Sequence, residues 1–175
     1  MIVHNGFKII SDMPKFIFYL FENFKGEMIA SGIWPKTNQE QIIYIFEWYA
    51  AKLRPFMWEF YGIMTATNQA GLTNSNEDDM PDKQLQKIHD EYLTRFKFIC
   101  EEMESKFFKG TQFILGSEKP SCIDHVFYQE MLSAMVLSGN GSQSEFFSAD
   151  TAIRLYKLKN LTKWYRVMSA DKYSR

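Results

Sequence analysis

The sequence has few cysteines, and this scarcity argues against a disulfide-stabilised scaffold. Its 175 residues contain two, Cys100 and Cys122, which lie far apart in segments with helical spacing. We expect both to be buried free thiols in a reducing compartment inside the cell. The cytoplasm is the leading expectation, and an organellar assembly in a mitochondrion or a cilium is the alternative. Cys122 lies three residues before His125, but a zinc site needs three or four ligands, so no metal site is predicted.

The chain also lacks an excess of charge of either sign. It has 20 basic and 21 acidic residues and a formal charge of −1, whereas a nucleic-acid-binding domain normally carries a basic excess. No apolar run reaches the roughly 20 residues that span a bilayer, and the first residues lack the order of a signal peptide. Glycine-rich phosphate loops, nucleophile elbows and C-x-x-C pairs are missing too. The sequence therefore predicts no nucleic-acid partner, no membrane span and no cofactor.

Aromatic and aliphatic residues, by contrast, are abundant and recur every three or four positions. Apolar residues make up 46% of the chain and it contains 16 phenylalanines, so we predict an all-α bundle with an aromatic-rich core. Pro55 falls inside the second helix and should kink it. Phe7 to Ile10 has the composition of a short strand but no evident partner, and the polar stretch from Thr65 to Pro81 should be an exposed loop. The predicted helices cover about residues 12–25, 38–64, 82–108, 121–138, 149–158 and 161–170.

Ser121 and Asp124 have the S-x-x-D spacing of a capping box, just ahead of the most apolar stretch. The Ser121 hydroxyl can accept a hydrogen bond from the Asp124 amide, and the Asp124 carboxylate can reach back to the Ser121 amide. Pro120 prevents a preceding helix from continuing, and the run from His125 to Leu137 is apolar on nearly every side. We therefore predict that this box opens the central, buried helix. A plain helix start is the alternative reading of the same spacing.

Trp48, Lys52 and Arg54 lie close together on the second predicted helix and are candidate ligand-facing residues. The two basic groups would suit an anionic ligand or partner. The alternative is an ordinary amphipathic helix, in which the aromatic side chain belongs to the core and the basic side chains to the surface. The sequence by itself favours this alternative.

Several motifs together resemble the all-helical C-terminal domain of cytosolic glutathione transferases, most closely the theta class. Phe113-Ile114-Leu115-Gly116 precedes the box from Ser121 to Asp124, as a hydrophobic residue and a glycine precede it in that family. Leu161-Thr162-Lys163-Trp164 is similar to the Leu-x-x-Trp segment that closes the domain. Ile33-Trp34-Pro35-Lys36, and then Trp48 through Leu53-Arg54, resemble the segment that opens it. The resemblance covers most of the chain and implies the same helical bundle.

The first residues resemble the end of the thioredoxin-like domain that precedes the helical domain in this family. The resemblance implies a remnant strand and helix over residues 1–30 and the helical domain over residues 31–175. Met13 stands where the family has a serine that holds the γ-glutamyl group of glutathione, unless the register slips by two and Ser11 takes that place. Because the family's thiol-activating residue lies in a part of that domain with no counterpart here, we do not expect this chain to bind or conjugate glutathione.

The resemblance implies a non-catalytic interaction or scaffold subunit of a larger assembly, with other protein subunits as partners. One alternative is a theta-like glutathione transferase whose catalytic domain is absent from this chain. Another is a free-standing small-molecule binder with a pocket between the second and third helices. The expected interface consists of aromatic residues that the thioredoxin-like domain would otherwise cover. These residues are Phe16, Phe18, Tyr19, Trp34, Phe46 and Tyr49.

Overall fold

The computed structural model describes residues 2–4, 7–9, 13–34, 39–69, 81–108, 110–137 and 157–170. Over these residues the regular secondary structure is helical except for one short N-terminal hairpin, which confirms the predicted all-α class. None of the described helices is long and apolar enough to cross a lipid bilayer. The helices are α1 (Met13–Ala30), α2 (Gln39–Trp48), α3 (Arg54–Gln69), α4 (Pro81–Phe107), α5 (Cys122–Leu137) and α6 (Lys159–Ala170).

A two-stranded antiparallel hairpin stands at the N-terminus. β1 (Ile2–His4) pairs with β2 (Phe7–Ile9) in the register that places His4 opposite Phe7. The prediction that the strand near Phe7 lacks a partner is therefore wrong, because the segment just before it is its partner. The available signal was Asn5-Gly6, since Asn-Gly between two apolar runs is typical of a two-residue hairpin loop.

α1 is longer than the sequence suggested. Apolar spacing predicted a helix over about residues 12–25, but the helix continues to Ala30 and bends at Phe24, whose backbone leaves the helical region (φ −128°, ψ 26°). A glycine inside a helix costs about 1 kcal/mol relative to alanine, so on local preference alone the helix would end at Gly26. Contacts outside the helix must offset this cost.

Aromatic contacts supply that offset and hold α1 against the rest of the molecule. The Phe18 ring packs edge-on against Phe46 of α2, with ring centroids 6.0 Å apart. Beyond the end of α1, Trp34 folds back and stacks on Phe21 at 3.8 Å. Aromatic pairs of this kind stabilise by about 0.5–1.5 kcal/mol beyond the area that they bury.

α2 and α3 follow one another without a loop, because a π-helical turn at Tyr49–Leu53 joins them. The three segments together are called the rod. The turn ends two residues before Pro55. Proline has no N–H for the helix ladder, and its ring collides with the carbonyl four residues earlier, here that of Ala51. Widening the helix over the preceding turn relieves the clash with this carbonyl, so the predicted kink takes the form of a π-turn.

Two predicted segments extend beyond the described residues. α3 runs to Gln69, so the first part of the loop predicted from Thr65 is helical instead, and residues 70–80 lie outside the described residues. Most of the short helix predicted at 149–158 also lies outside them. Its last two residues, Lys157 and Leu158, are not helical.

α5 lies at the centre of the bundle, as its apolar sequence predicted. Both α3 and α6 pack against α5, and α4 packs against α6. Ile123, Phe127 and Met131 are fully buried on α5. The Phe127 ring contacts aromatic rings of the rod and of α4, namely Trp48, Tyr49 and Phe107.

The capping box at the start of α5 is a four-bond junction centred on Asp124. One carboxylate oxygen accepts from the Ser121 amide (2.8 Å) and the Ser121 hydroxyl (2.7 Å). The other oxygen accepts from the Ile114 amide (2.9 Å) and from the indole nitrogen of Trp164 on α6 (2.8 Å). The bond back to the Ser121 amide is the one predicted, whereas the hydroxyl donates to the carboxylate, which the spacing did not predict. Burial raises the pKa of Asp124 even though all four bonds favour its charged form.

Two helix starts are capped from distant parts of the chain. The first amide of α5, that of Cys122, donates to the Ile33 carbonyl after α1 (2.8 Å). At the start of α6, Glu104 of α4 accepts from the amides of Asn160 (3.0 Å) and Leu161 (2.7 Å). The first N–H groups of a helix have no acceptor within it, so these bonds join separate segments where each helix needs a partner.

Candidate binding pocket at the π-helical turn

The π-helical turn places Tyr49 and Arg54 on the same side of the rod. The Arg54 N–H donates to the Tyr49 carbonyl, the bond between residues five apart that defines a π-turn. In an α-helix, two residues five apart would point roughly 140° away from each other. Because the π-turn holds more residues per turn, the two side chains meet, and Arg54 Nη1 donates to the Tyr49 hydroxyl at 3.0 Å.

Glu130 of α5 completes this polar group. The Tyr49 hydroxyl donates to Glu130 Oε2 at 2.5 Å, and Arg54 Nη1 lies 3.9 Å from the same oxygen. Burial raises the pKa of Tyr49 well above its usual value, and Glu130 raises it further, while Arg54 acts in the opposite direction with a smaller effect. The Tyr49 hydroxyl therefore stays protonated at neutral pH and serves as a donor to Glu130.

A cavity of about 590 Å³ opens beside this group, where α3 faces α5. Trp58 forms one wall and is 64% exposed to solvent. The Arg54 guanidinium lies over the rings of both Trp58 (5.8 Å to the centroid) and Tyr49 (6.0 Å), so it is held in place while remaining at the cavity surface. The other lining residues are Tyr61, His125, Val126, Gln129 and Glu130.

The groups in this cavity suit binding, because they combine flat apolar walls with a cation and a few hydrogen-bonding side chains. The two thiols are not part of it. Cys100 and Cys122 are buried, and burial raises the pKa of both, that of Cys122 to about 12, so both are unreactive at neutral pH. In the part of the chain that the structure describes, no three His, Cys, Asp or Glu side chains are grouped so as to hold a metal ion.

Of the three predicted ligand-facing residues, Arg54 lines this cavity and the other two do not. Trp48 is buried against Phe107. Its indole N–H helps to lower the pKa of Glu102 but does not reach hydrogen-bond geometry with any described residue. Lys52 binds both carboxylate oxygens of Glu102 on α4, at 2.8 and 2.7 Å.

Glu102 is shared by two lysines. Lys106, one turn later on α4, binds the same carboxylate at 2.5 Å. Burial raises the pKa of Glu102, but the hydrogen bonds from Lys106 and Lys52 outweigh burial and lower it to about 2. The Glu102 side chain is 12% exposed, and through Lys52 it ties α4 to the π-helical turn.

The predicted aromatic interface is largely internal to the chain. Trp34, Phe46 and Tyr49 are buried, because Phe21 and Phe18 of α1 cover the first two and α5 covers the third. The expectation of an exposed patch is therefore wrong for these three residues. The remaining predicted interface residues, Phe16, Phe18 and Tyr19 on α1, are half-buried.

The sequence did not identify Trp58 and Glu130 as residues of the cavity. Trp58 follows Arg54 by four residues on one helix, so an arginine and a tryptophan at i, i+4 spacing were the available signal. Glu130 is 81 residues from its partner Tyr49, and no local pattern relates them.

Comparison of the chain with models of known protein families, with curated proteins and with solved structures found no match. The function is therefore inferred from the geometry of the cavity and its surroundings.

Proposed function

We propose that this chain is a non-catalytic binding subunit of a larger protein assembly, built on a helical domain of the glutathione-transferase C-terminal type. The partner docks at the cavity beside Arg54 and Trp58, which Tyr49 of the first predicted interface also lines. The observation that carries this proposal is the exposed Trp58 ring, with the Arg54 guanidinium over it, at the wall of a cavity of about 590 Å³.

The residue types in the cavity favour a protein partner. Trp, Tyr and Arg dominate the binding energy of protein interfaces, because they combine a large contact area with directed polar groups. Here Arg54, Trp58 and Tyr61 line one concave surface. A partner side chain can stack on Trp58 while a partner carboxylate or carbonyl accepts from Arg54.

The pair formed by Tyr49 and Glu130 supports binding more than catalysis. Activation of a thiol needs a donor free to stabilise the thiolate or a base free to accept its proton. The Tyr49 hydroxyl is already bound to Glu130 at 2.5 Å, and its pKa is raised by burial and by Glu130. Neither partner of this pair is free to exchange a proton with a substrate without breaking the pair.

Support for the domain type comes from the motifs that carry the resemblance. The box at Ser121 and Asp124 and the Leu-x-x-Trp segment near the C-terminus are far apart in sequence. They meet in one hydrogen bond, from Trp164 to Asp124 at 2.8 Å. The hydrophobic residue and glycine before the box join the same junction through the Ile114 amide.

Affinity capture from native cell extract tests the docking site. The full chain and its Trp58→Ser variant serve as baits, and we expect a defined set of proteins that the full chain recovers and the variant loses. Phe98→Ser is the matched control, because Phe98 on α4 is also 64% exposed but does not line the cavity. Equal recovery by the full chain and Trp58→Ser, with both folded by circular dichroism, contradicts the proposal.

A theta-like glutathione transferase is the second candidate, and Arg54 is the observation that favours it. A guanidinium at a cavity wall can bind a carboxylate of an anionic ligand such as glutathione. Binding to immobilised glutathione and conjugation of a generic electrophile separate the two candidates. Conjugation that is lost in Arg54→Gln replaces the scaffold proposal, whereas absence of binding and turnover retains it.

A further inference from the structure

A second cavity, of about 340 Å³, shares no lining residue with the cavity beside Arg54. It opens between the first turns of α2, the end of α4 and the segment that leads to α5. Its lining includes Ile45 and Phe107, which are buried, so the accessible apolar surface comes mainly from Leu115 and the exposed Tyr44 ring, and Lys106 supplies a cation. The cavity therefore combines one cation with aliphatic and aromatic carbons.

Leu115 enters this cavity from a strained backbone. Its φ of 62° lies in the left-handed region, where a side chain with a Cβ is disfavoured and glycine is not. The next residue, Gly116, has a φ of 74° and occupies the same region without penalty. Backbone outliers of this kind cluster at functional sites, and here the leucine places an apolar side chain in the cavity lining, which a glycine could not do.

The charge at the cavity is positive. Lys106 shares the Glu102 carboxylate with Lys52, so two cations and one anion leave one net positive charge in this cluster. The Lys106 ammonium also lies over the Tyr44 ring, 5.9 Å from its centroid. An anion entering the cavity therefore meets an incompletely neutralised lysine beside an aromatic ring.

We propose that this cavity binds a small amphiphilic monoanion, a carboxylate on an apolar body. The carboxylate pairs with Lys106, and the apolar body lies against Leu115 and the Tyr44 ring. This site is separate from the cavity at Arg54 and does not depend on the function proposed for it.

Titration of the full chain with hexanoate, followed by the amide NMR shifts of Leu115 and Gly116, tests the proposal. We expect saturable shifts on titration of the unmodified chain. Lys106→Gln should lower the affinity for hexanoate by about tenfold or more, since a charge-assisted hydrogen bond is lost. Lys106→Arg should retain binding because it retains the charge. Lys97→Gln is the matched control, because Lys97 lies on the same helix, pairs with Glu101 at the surface and does not line the cavity.

Hexanol separates recognition of the carboxylate from burial of the apolar body. It has the same chain length without the charge, and we expect it to bind at least about tenfold more weakly than hexanoate. Three results each overturn the proposal: no saturable shift up to the solubility of hexanoate, equal affinity for hexanoate and hexanol, or unchanged hexanoate affinity in a folded Lys106→Gln variant. If Lys106→Gln does not fold, the comparison of the two ligands on the unmodified chain still decides.

Discussion

Asp124 illustrates how much of this fold depends on a single buried side chain. Its carboxylate accepts four hydrogen bonds, three from the segment before α5 and one from α6. The sequence spacing predicted the local bond to Ser121, because a capping box is a pattern of neighbours. It did not predict the bonds from Ile114 and Trp164, because these depend on how distant segments pack.

Removing the Asp124 carboxylate should therefore cost far more than removing the Ser121 hydroxyl. Asp124→Ala leaves four buried donors without an acceptor, and we expect a loss of about 4 kcal/mol in the free energy of unfolding. Ser121→Ala removes one donor and should cost about 1 kcal/mol. Urea unfolding of both variants measures the difference, and equal losses would show that the junction is not centred on Asp124.

Glu102 should make the protein sensitive to acid. Its pKa is lowered from 4.5 to about 2 in the folded state, so its contribution to stability is present above its unfolded pKa and is lost as the pH falls toward 2. The pH dependence that Asp124 contributes has the opposite sign. Because its pKa is raised in the folded state, its contribution to stability is present below its unfolded pKa of 3.8, and that contribution is lost as the pH rises through the folded pKa. Asp124 therefore does not explain acid unfolding.

We expect Glu102→Gln to lose less stability than the unmodified chain between pH 4.5 and pH 2. Thermal melts across this pH range measure the effect. Glu101→Gln is the control, because Glu101 is an exposed neighbour on the same helix, paired with Lys97 at 3.8 Å. Parallel pH profiles for Glu102→Gln and the unmodified chain would contradict the assignment.

At the scale of elements, the helices were predictable and their joints were not. α4, α5 and α6 begin and end within about two residues of the positions that apolar spacing indicated, since spacing reports which face each helix buries. α1 continued past Gly26 because tertiary contacts outweighed local preference. Pro55 predicted a distortion of the helix. The local sequence could not specify a π-turn, because this turn also depends on the contacts that Tyr49 and Arg54 make.

The start of α6 provides a prediction at this scale. Glu104 accepts from the amides of Asn160 and Leu161, so Glu104→Ala should uncap α6 and cost about 1–2 kcal/mol. Native-state hydrogen exchange should show faster exchange along α6 in this variant than along α5. Glu101→Ala removes a surface carboxylate from the same helix. It should change the free energy of unfolding by no more than a few tenths of a kcal/mol and should leave hydrogen exchange along α6 nearly unchanged.

For the whole molecule, burial was easier to predict than exposure. The sequence identified Arg54 as a candidate for the site, but it placed the partner surface on aromatic residues such as Phe46 and Tyr49, which became core. Sixteen phenylalanines cannot all be distinguished by local pattern as inner or outer, because helix packing decides which face is covered. Trp58, which the sequence did not single out, lines the cavity and is 64% exposed.

The uneven burial of the tryptophans has an optical consequence. Of the four, Trp34, Trp48 and Trp164 are buried and Trp58 is exposed. The red edge of the intrinsic fluorescence should therefore come mainly from Trp58, and a water-soluble quencher such as iodide should reach that component first. Any partner or ligand that covers the cavity should shield it, so emission from the unlabelled protein reports occupancy directly.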